Sequence, residues 1–99
     1  MEVRIKAVNF DATEKLQEFA TKKVEKLSKS YEDIQKVEVQ LKVVKPATAL
    51  NKETSISVSI PGAPIHVEKT CDTFEEGIDL CVDALKVKMT KIKEKNRNH

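Results

Sequence analysis

Residues 9–44, NFDATEKLQEFATKKVEKLSKSYEDIQKVEVQLKVV, decide the fold, because within them the apolar spacing changes from that of a helix to that of a strand. Leu16, Phe19, Ala20, Val24, Leu27 and Tyr31 recur at helical intervals and predict one amphipathic helix. Its start is marked twice. Asp11 with Glu14 three residues later has the form of a capping box, and Thr13 fits the N-cap equally well. From Ile34 to Lys45 the pattern alternates instead, with Val37, Val39, Leu41 and Val43 on one face and Lys36, Glu38, Gln40 and Lys42 on the other. The β-branched residues favour a strand there over a helix.

Working outward, the N-terminal VRIKAV alternates Val3, Ile5 and Ala7 with Arg4 and Lys6 and predicts a first strand. Residues 46–52, PATALNK, break the pattern and predict a loop. ETSISVSI then sets Thr54, Ile56, Val58 and Ile60 against Ser55, Ser57 and Ser59, and PGAP over 61–64 predicts a tight turn. In the fourth strand, IHVEKTC, Ile65, Val67 and Cys71 share a face with one misfit, Lys69, which is placed to snorkel near the strand end. Thr73 and Glu76 form a capping box for a last helix. Its stripe of Phe74, Ile78, Cys81, Val82, Leu85, Met89 and Ile92 runs to about Lys93, and the residues from Lys95 to His99 are expected to fray.

The order is β-α-β-β-β-α, and every strand is apolar on one face only. The economical α+β arrangement is a four-stranded sheet with two helices packed on one face and the other face wet. Residues 1–95 are read as one domain and 96–99 as a flexible basic tail. A chain of 99 residues buries only about 60 to 65% of its potential surface, which leaves little room for a deep catalytic cavity. Charged residues at 34% beside 39% hydrophobic exclude a wholly disordered chain. No apolar run approaches the roughly 18 to 20 residues that span a bilayer, and no signal-peptide pattern opens the chain, so a cytoplasmic protein is expected.

Cys71 and Cys81 form no C-x-x-C motif and are read as buried apolar groups in a reducing compartment. Catalytic signals are lacking. His66 falls on a polar strand face and His99 on the tail, so no metal site is expected; Asp72, Glu75 and Glu76 suit the start of a helix. No P-loop, G-x-G-x-x-G or nucleophile elbow is present.

The charge is unevenly placed. Residues 1–83 carry 12 basic and 15 acidic groups, whereas Lys86, Lys88, Lys91, Lys93, Lys95 and Arg97 face only Glu94 in the remainder. On the last helix Lys86, Lys93 and Arg97 lie along one flank of the apolar stripe and Lys88, Lys91 and Lys95 along the other. On the first, Lys15, Lys22, Lys26 and Lys29 share a band, while Lys23 points toward the apolar side. Two readings fit these rows: a surface for nucleic-acid phosphates, or solvated faces whose lysines favour the helix dipoles. Six basic residues against one acid in the final sixteen exceed what capping needs. With two arginines and few aromatics, the composition favours recognition of backbone and shape over reading of bases.

The segments ATEKLQEFATKKVEKL, IQKVEVQLKVV and CDTFEEGIDLCVDALKVKMTKIKEK together resemble the ribosome hibernation promoting factor family, also called ribosome-associated inhibitor or sigma factor modulation protein. The likeness runs through residues 1–95, matching the short form without an appended dimerisation domain. It is carried by Thr13, Leu16, Phe19, Lys23, Lys26 and Leu27 with Ile78, Asp79, Val82, Asp83, Leu85, Lys91 and Lys93. It implies the same β-α-β-β-β-α fold, similar to a double-stranded RNA-binding domain with an extra first strand.

It further implies a non-enzymatic factor, without cofactor or metal, that binds the small ribosomal subunit and its rRNA over the decoding region. There it obstructs mRNA and tRNA and inhibits translation in starvation or stationary phase. The implied protein is a monomer off the ribosome with no membrane partner, and a separate small hibernation factor is a further partner where ribosomes pair. Contacts to rRNA fall best on Lys23, Lys26, Lys91 and Lys93, and more loosely on Lys86, Lys88, Lys95 and Arg97. Glu75 departs from the family's tyrosine, and Val87 and Thr90 from its arginines, so point-charge attraction replaces the planar guanidinium fork. The alternative is a general structured-RNA-binding or ribosome-maturation protein without inhibitory activity.

Overall fold

The computed structural model describes residues 2–44, 51–62 and 64–97, with side chains described for all of these except 30 and 93–97. Strand β1 (Glu2–Val8) leads to helix α1 (Glu14–Glu25) and a short α2 (Leu27–Ser30). Strands β2 (Lys36–Val43), β3 (Lys52–Ser59) and β4 (Ile65–Cys71) follow, and α3 (Phe74–Arg97) is the last described element. The sheet has four strands in chain order, β1-β2-β3-β4. The β1 and β2 strands are parallel, so the chain between them must cross over, which α1 and α2 do; the other two pairings are antiparallel.

Thr13 settles the doubled cap. Its Oγ1 accepts a hydrogen bond from the Leu16 N–H at 3.1 Å, and its backbone is extended as an N-cap requires. The one helix expected up to Tyr31 is divided at Lys26, which keeps right-handed helical dihedrals. There the Ser28 hydroxyl donates to the Glu25 carbonyl at 2.7 Å, the competition by which serine loosens a helix. The chain direction is kept, because Tyr31 N–H still donates to the Leu27 carbonyl.

The expected faces hold. Val37, Val39 and Leu41 of β2, Ile56 and Val58 of β3, and Ile65 and Val67 of β4 are buried on one sheet face, under Ala20, Val24 and Leu27 of the first helices and Ile78, Cys81, Val82, Leu85 and Met89 of α3. Lys69 is exposed, as its place near the strand end allows. The opposite sheet face carries cross-strand rows such as Arg4, Glu38, Ser57 and His66.

Two close contacts fix where α3 sits. At Gly77 a Cβ would stand 2.5 Å from Thr54 Oγ1, so only a glycine lets the helix lie this close to β3. The rings of Phe10 and Phe74 stack with centroids 4.6 Å apart, tying the approach to α1 to the start of α3. Asn9, with φ of 68°, turns the chain there while its side-chain amide donates to the Val43 carbonyl at 3.2 Å. The loop expected over 46–52 falls mostly on residues outside those described, and Lys52 already belongs to β3.

Candidate nucleic-acid interface

The two long helices lie side by side, and their relative direction places the lysines. The Phe10–Phe74 stack is near both helix starts, while Lys23 in the last turn of α1 meets Asp79, a turn and a half into α3. Contacts that advance along both helices together mean that the helices run in the same general sense. Their basic C-terminal halves therefore point to one end of the molecule, where each also faces its own negative dipole end.

Lys22, Lys26, Ser28 and Lys29, with Glu25, line one open depression at the division between α1 and α2. Lys15, the second residue of α1, is exposed but lies outside it. On α3, Lys86, Val87, Thr90 and Lys91 line a second depression. Lys91 is exposed and Lys86 half-buried. Lys88 is laid against the sheet, its Nζ donating to the His66 carbonyl at 3.4 Å, so this flank of α3 faces β4. Lys93, Lys95 and Arg97 continue the helical backbone, and their side chains lie outside the described residues.

Lys23 is held differently. Its Nζ is 2.9 Å from Asp79 Oδ1 and 5.4 Å from the centroid of the Phe19 ring, so it spans the groove between α1 and α3. The inward lean of Lys23 is visible in the helical spacing, but its partner is not. The only signal for Asp79 is its place seven residues before Lys86 on the same flank.

The sheet's wet face contrasts with this end because it mixes charges of both signs. Arg4 Nε lies 3.0 Å from Glu2, and Lys36 Nζ lies 2.6 Å from Glu38, whose carboxyl is lowered chiefly by that hydrogen bond and charge. Glu53 is raised by its hydrogen bond to Glu68, by burial and by the neighbouring charge. Ser57 Oγ and His66 Nδ1 are 2.8 Å apart. None of the four aromatic residues is exposed, which leaves no stacking platform among the described residues. No group of three or more metal-ligating side chains occurs among them either. Cys71 and Cys81 are free and buried, and burial pushes the Cys81 thiol up to about 11. What the described surface at this end offers is positive charge at a spacing that phosphates can meet.

Comparison with known proteins bears on the fold and the family. The solved structure of a ribosomal subunit interface protein from Coxiella burnetii superposes with a TM-score of 0.84, at 21% identity over 95% of this chain and 99% of that one. The N-terminal domain of Thermus thermophilus Protein Y gives 0.78 at 22% identity, covering 93% and 99%. These two show the fold. The ribosome hibernation promoting factor of Escherichia coli K12 is 31% identical over 99 residues, and that of Salmonella typhimurium 33% identical over 99, in each case covering the whole of both chains. The family model described as Sigma 54 modulation protein / S30EA ribosomal protein matches residues 3–97, and with relatives that align from end to end the chain belongs to that family.

Proposed function

We propose that the protein is a ribosome hibernation factor. It lies in the decoding channel of the small ribosomal subunit with its lysine-bearing end against rRNA, blocks mRNA and tRNA, and inhibits translation in starvation or stationary phase. The observation that carries this reading is the common direction of α1 and α3, which brings two lysine rows together at one end. Rows of ammonium groups without exposed aromatics suit a folded RNA, whose phosphates are closely spaced and whose bases are already paired. Full-length relatives that bear the hibernation name support it.

In this reading Lys26, Lys86 and Lys91 meet phosphates directly, joined by Lys93, Lys95 and Arg97 farther along α3. Lys23 and Lys88 join after giving up the contacts that hold them. The factor acts in the cytoplasm, is a monomer off the ribosome, and takes a separate small partner if it pairs ribosomes. Two measurements test the proposal. Sedimentation of a starved-cell lysate should place the protein with small subunits and whole ribosomes, and its absence from ribosomal fractions at low and moderate salt would refute the reading. Purified protein added to a translation reaction should lower the yield. An unchanged yield at saturating occupancy would favour a general structured-RNA-binding or maturation role.

A further inference from the structure

The basic end of the molecule contains an acid at its border that touches one of the lysines assigned to RNA. Among the described residues, Lys23 is the one such lysine with a carboxylate at ion-pair distance, 2.9 Å away on Asp79. We infer that Asp79 is a restraining residue for RNA binding: its carboxylate holds Lys23 in the groove between α1 and α3, and a backbone phosphate must take the lysine from it. The inference rests on the ribosomal reading above and names a residue that tunes it.

The geometry favours restraint over simple support of the fold. The Lys23 side chain is 31% exposed and that of Asp79 49%, so the pair sits at the water's edge, where a phosphate can reach both. An ion pair so exposed contributes little to folding. The apolar contacts around it already join the helices, and the Phe19 ring beneath Lys23 guides the lysine stem independently of the acid. Asp79 and Lys86 share the flank of α3 that faces α1, so an RNA backbone that reaches Lys23 along that flank comes within range of the Asp79 carboxylate. Two effects then oppose binding: the phosphate is repelled by the carboxylate, and Lys23 must exchange one anion for another. A lysine already neutralised by the protein also releases fewer counterions when a phosphate arrives.

The test uses isolated small ribosomal subunits and the whole chain, with binding measured at several monovalent salt concentrations. Asp79→Asn keeps the side-chain shape and removes the charge. It should tighten binding about three- to tenfold at moderate salt, as expected for one unscreened charge near the interface. The logarithmic salt dependence should steepen by about one unit, because one more phosphate is neutralised by a cation with no internal partner. In a Lys23→Gln background the gain from the same substitution should be smaller, since the exchange at Lys23 is gone and only the direct repulsion of the phosphate is relieved. Asp79→Glu, which preserves the pairing, should bind like the unsubstituted chain. Thermal unfolding of each variant should remain a single transition.

Equal or weaker binding by Asp79→Asn would overturn the inference, and so would a gain that persists undiminished without Lys23. If the unsubstituted chain does not bind small subunits at all, the ribosomal reading falls and the inference with it. That outcome is seen directly, before any variant is compared.

Discussion

Replacing Gly77 by alanine tests how α3, and with it half of the lysine surface, is seated on the sheet. In an exposed helix the change stabilises by about 1 kcal/mol, because alanine loses less backbone freedom. Here the new Cβ would stand 2.5 Å from Thr54 Oγ1 and 3.2 Å from Thr54 Cβ. Thr54 is wholly buried and β-branched, so rotating its side chain drives a hydroxyl or a methyl into packed neighbours. The helix must therefore lift from β3, where it also holds the Cys81 thiol against the Thr54 carbonyl at 3.5 Å. Overpacking of this kind costs about 1–3 kcal/mol, and a contact this short belongs at the upper end.

After the propensity gain, the net loss is about 1–2 kcal/mol. In a domain of this size that lowers the midpoint of thermal unfolding by roughly 5–15 °C. Urea unfolding followed by circular dichroism measures it. Thr54→Ala removes the oxygen in the way, so the double variant should lose less than the sum of the two single ones by about 1 kcal/mol or more. A Gly77→Ala protein more stable than the unsubstituted one would refute the close seating of α3.

Thr54→Val should be neutral or stabilising by about 1–2 kcal/mol, since Thr54 Oγ1 is buried with no hydrogen-bond partner and a methyl of similar size removes that penalty; a loss above about 1 kcal/mol in urea unfolding would argue against it. Lys91→Gln together with Lys93→Gln should weaken binding to small subunits while unfolding stays cooperative, and unchanged affinity would move the interface elsewhere. The Cys81 thiol, held neutral by burial up to about 11, should react with a thiol reagent only as fast as the domain opens. Because the folded pKa is raised, its contribution to stability is complete below the unfolded value near 9 and is lost as pH rises toward 11, so denaturant midpoints should fall across that interval; a flat profile would show the thiol to be solvated.

Much of this architecture was legible because it is written in periodicity. The alternation from Val37 to Val43 and the stripe from Phe74 to Met89 each mark a buried face within one element, and the sheet with two helices on one side follows from them. The family resemblance was legible in the same segments. The choice between Asp11 and Thr13 as cap was not, since both satisfy the local pattern and only the Thr13–Leu16 hydrogen bond distinguishes them. Nor was the division at Lys26, where one serine hydroxyl competes for a carbonyl that the helix would otherwise use.

The candidate interface divides in the same way. By itself the sequence determined which residues are basic, how they flank each helix, and that Lys23 leans toward the apolar side. Only the tertiary structure decided that α1 and α3 point their lysine rows to one end, that Lys23 is held by Asp79, and that Lys88 is laid on the His66 carbonyl. The physical reason is range. A helical or strand period relates residues a few positions apart, whereas the pairing of residues 23 and 79 is set by how two helices cross on a sheet, which depends on contacts such as Gly77 against Thr54 that no single segment contains.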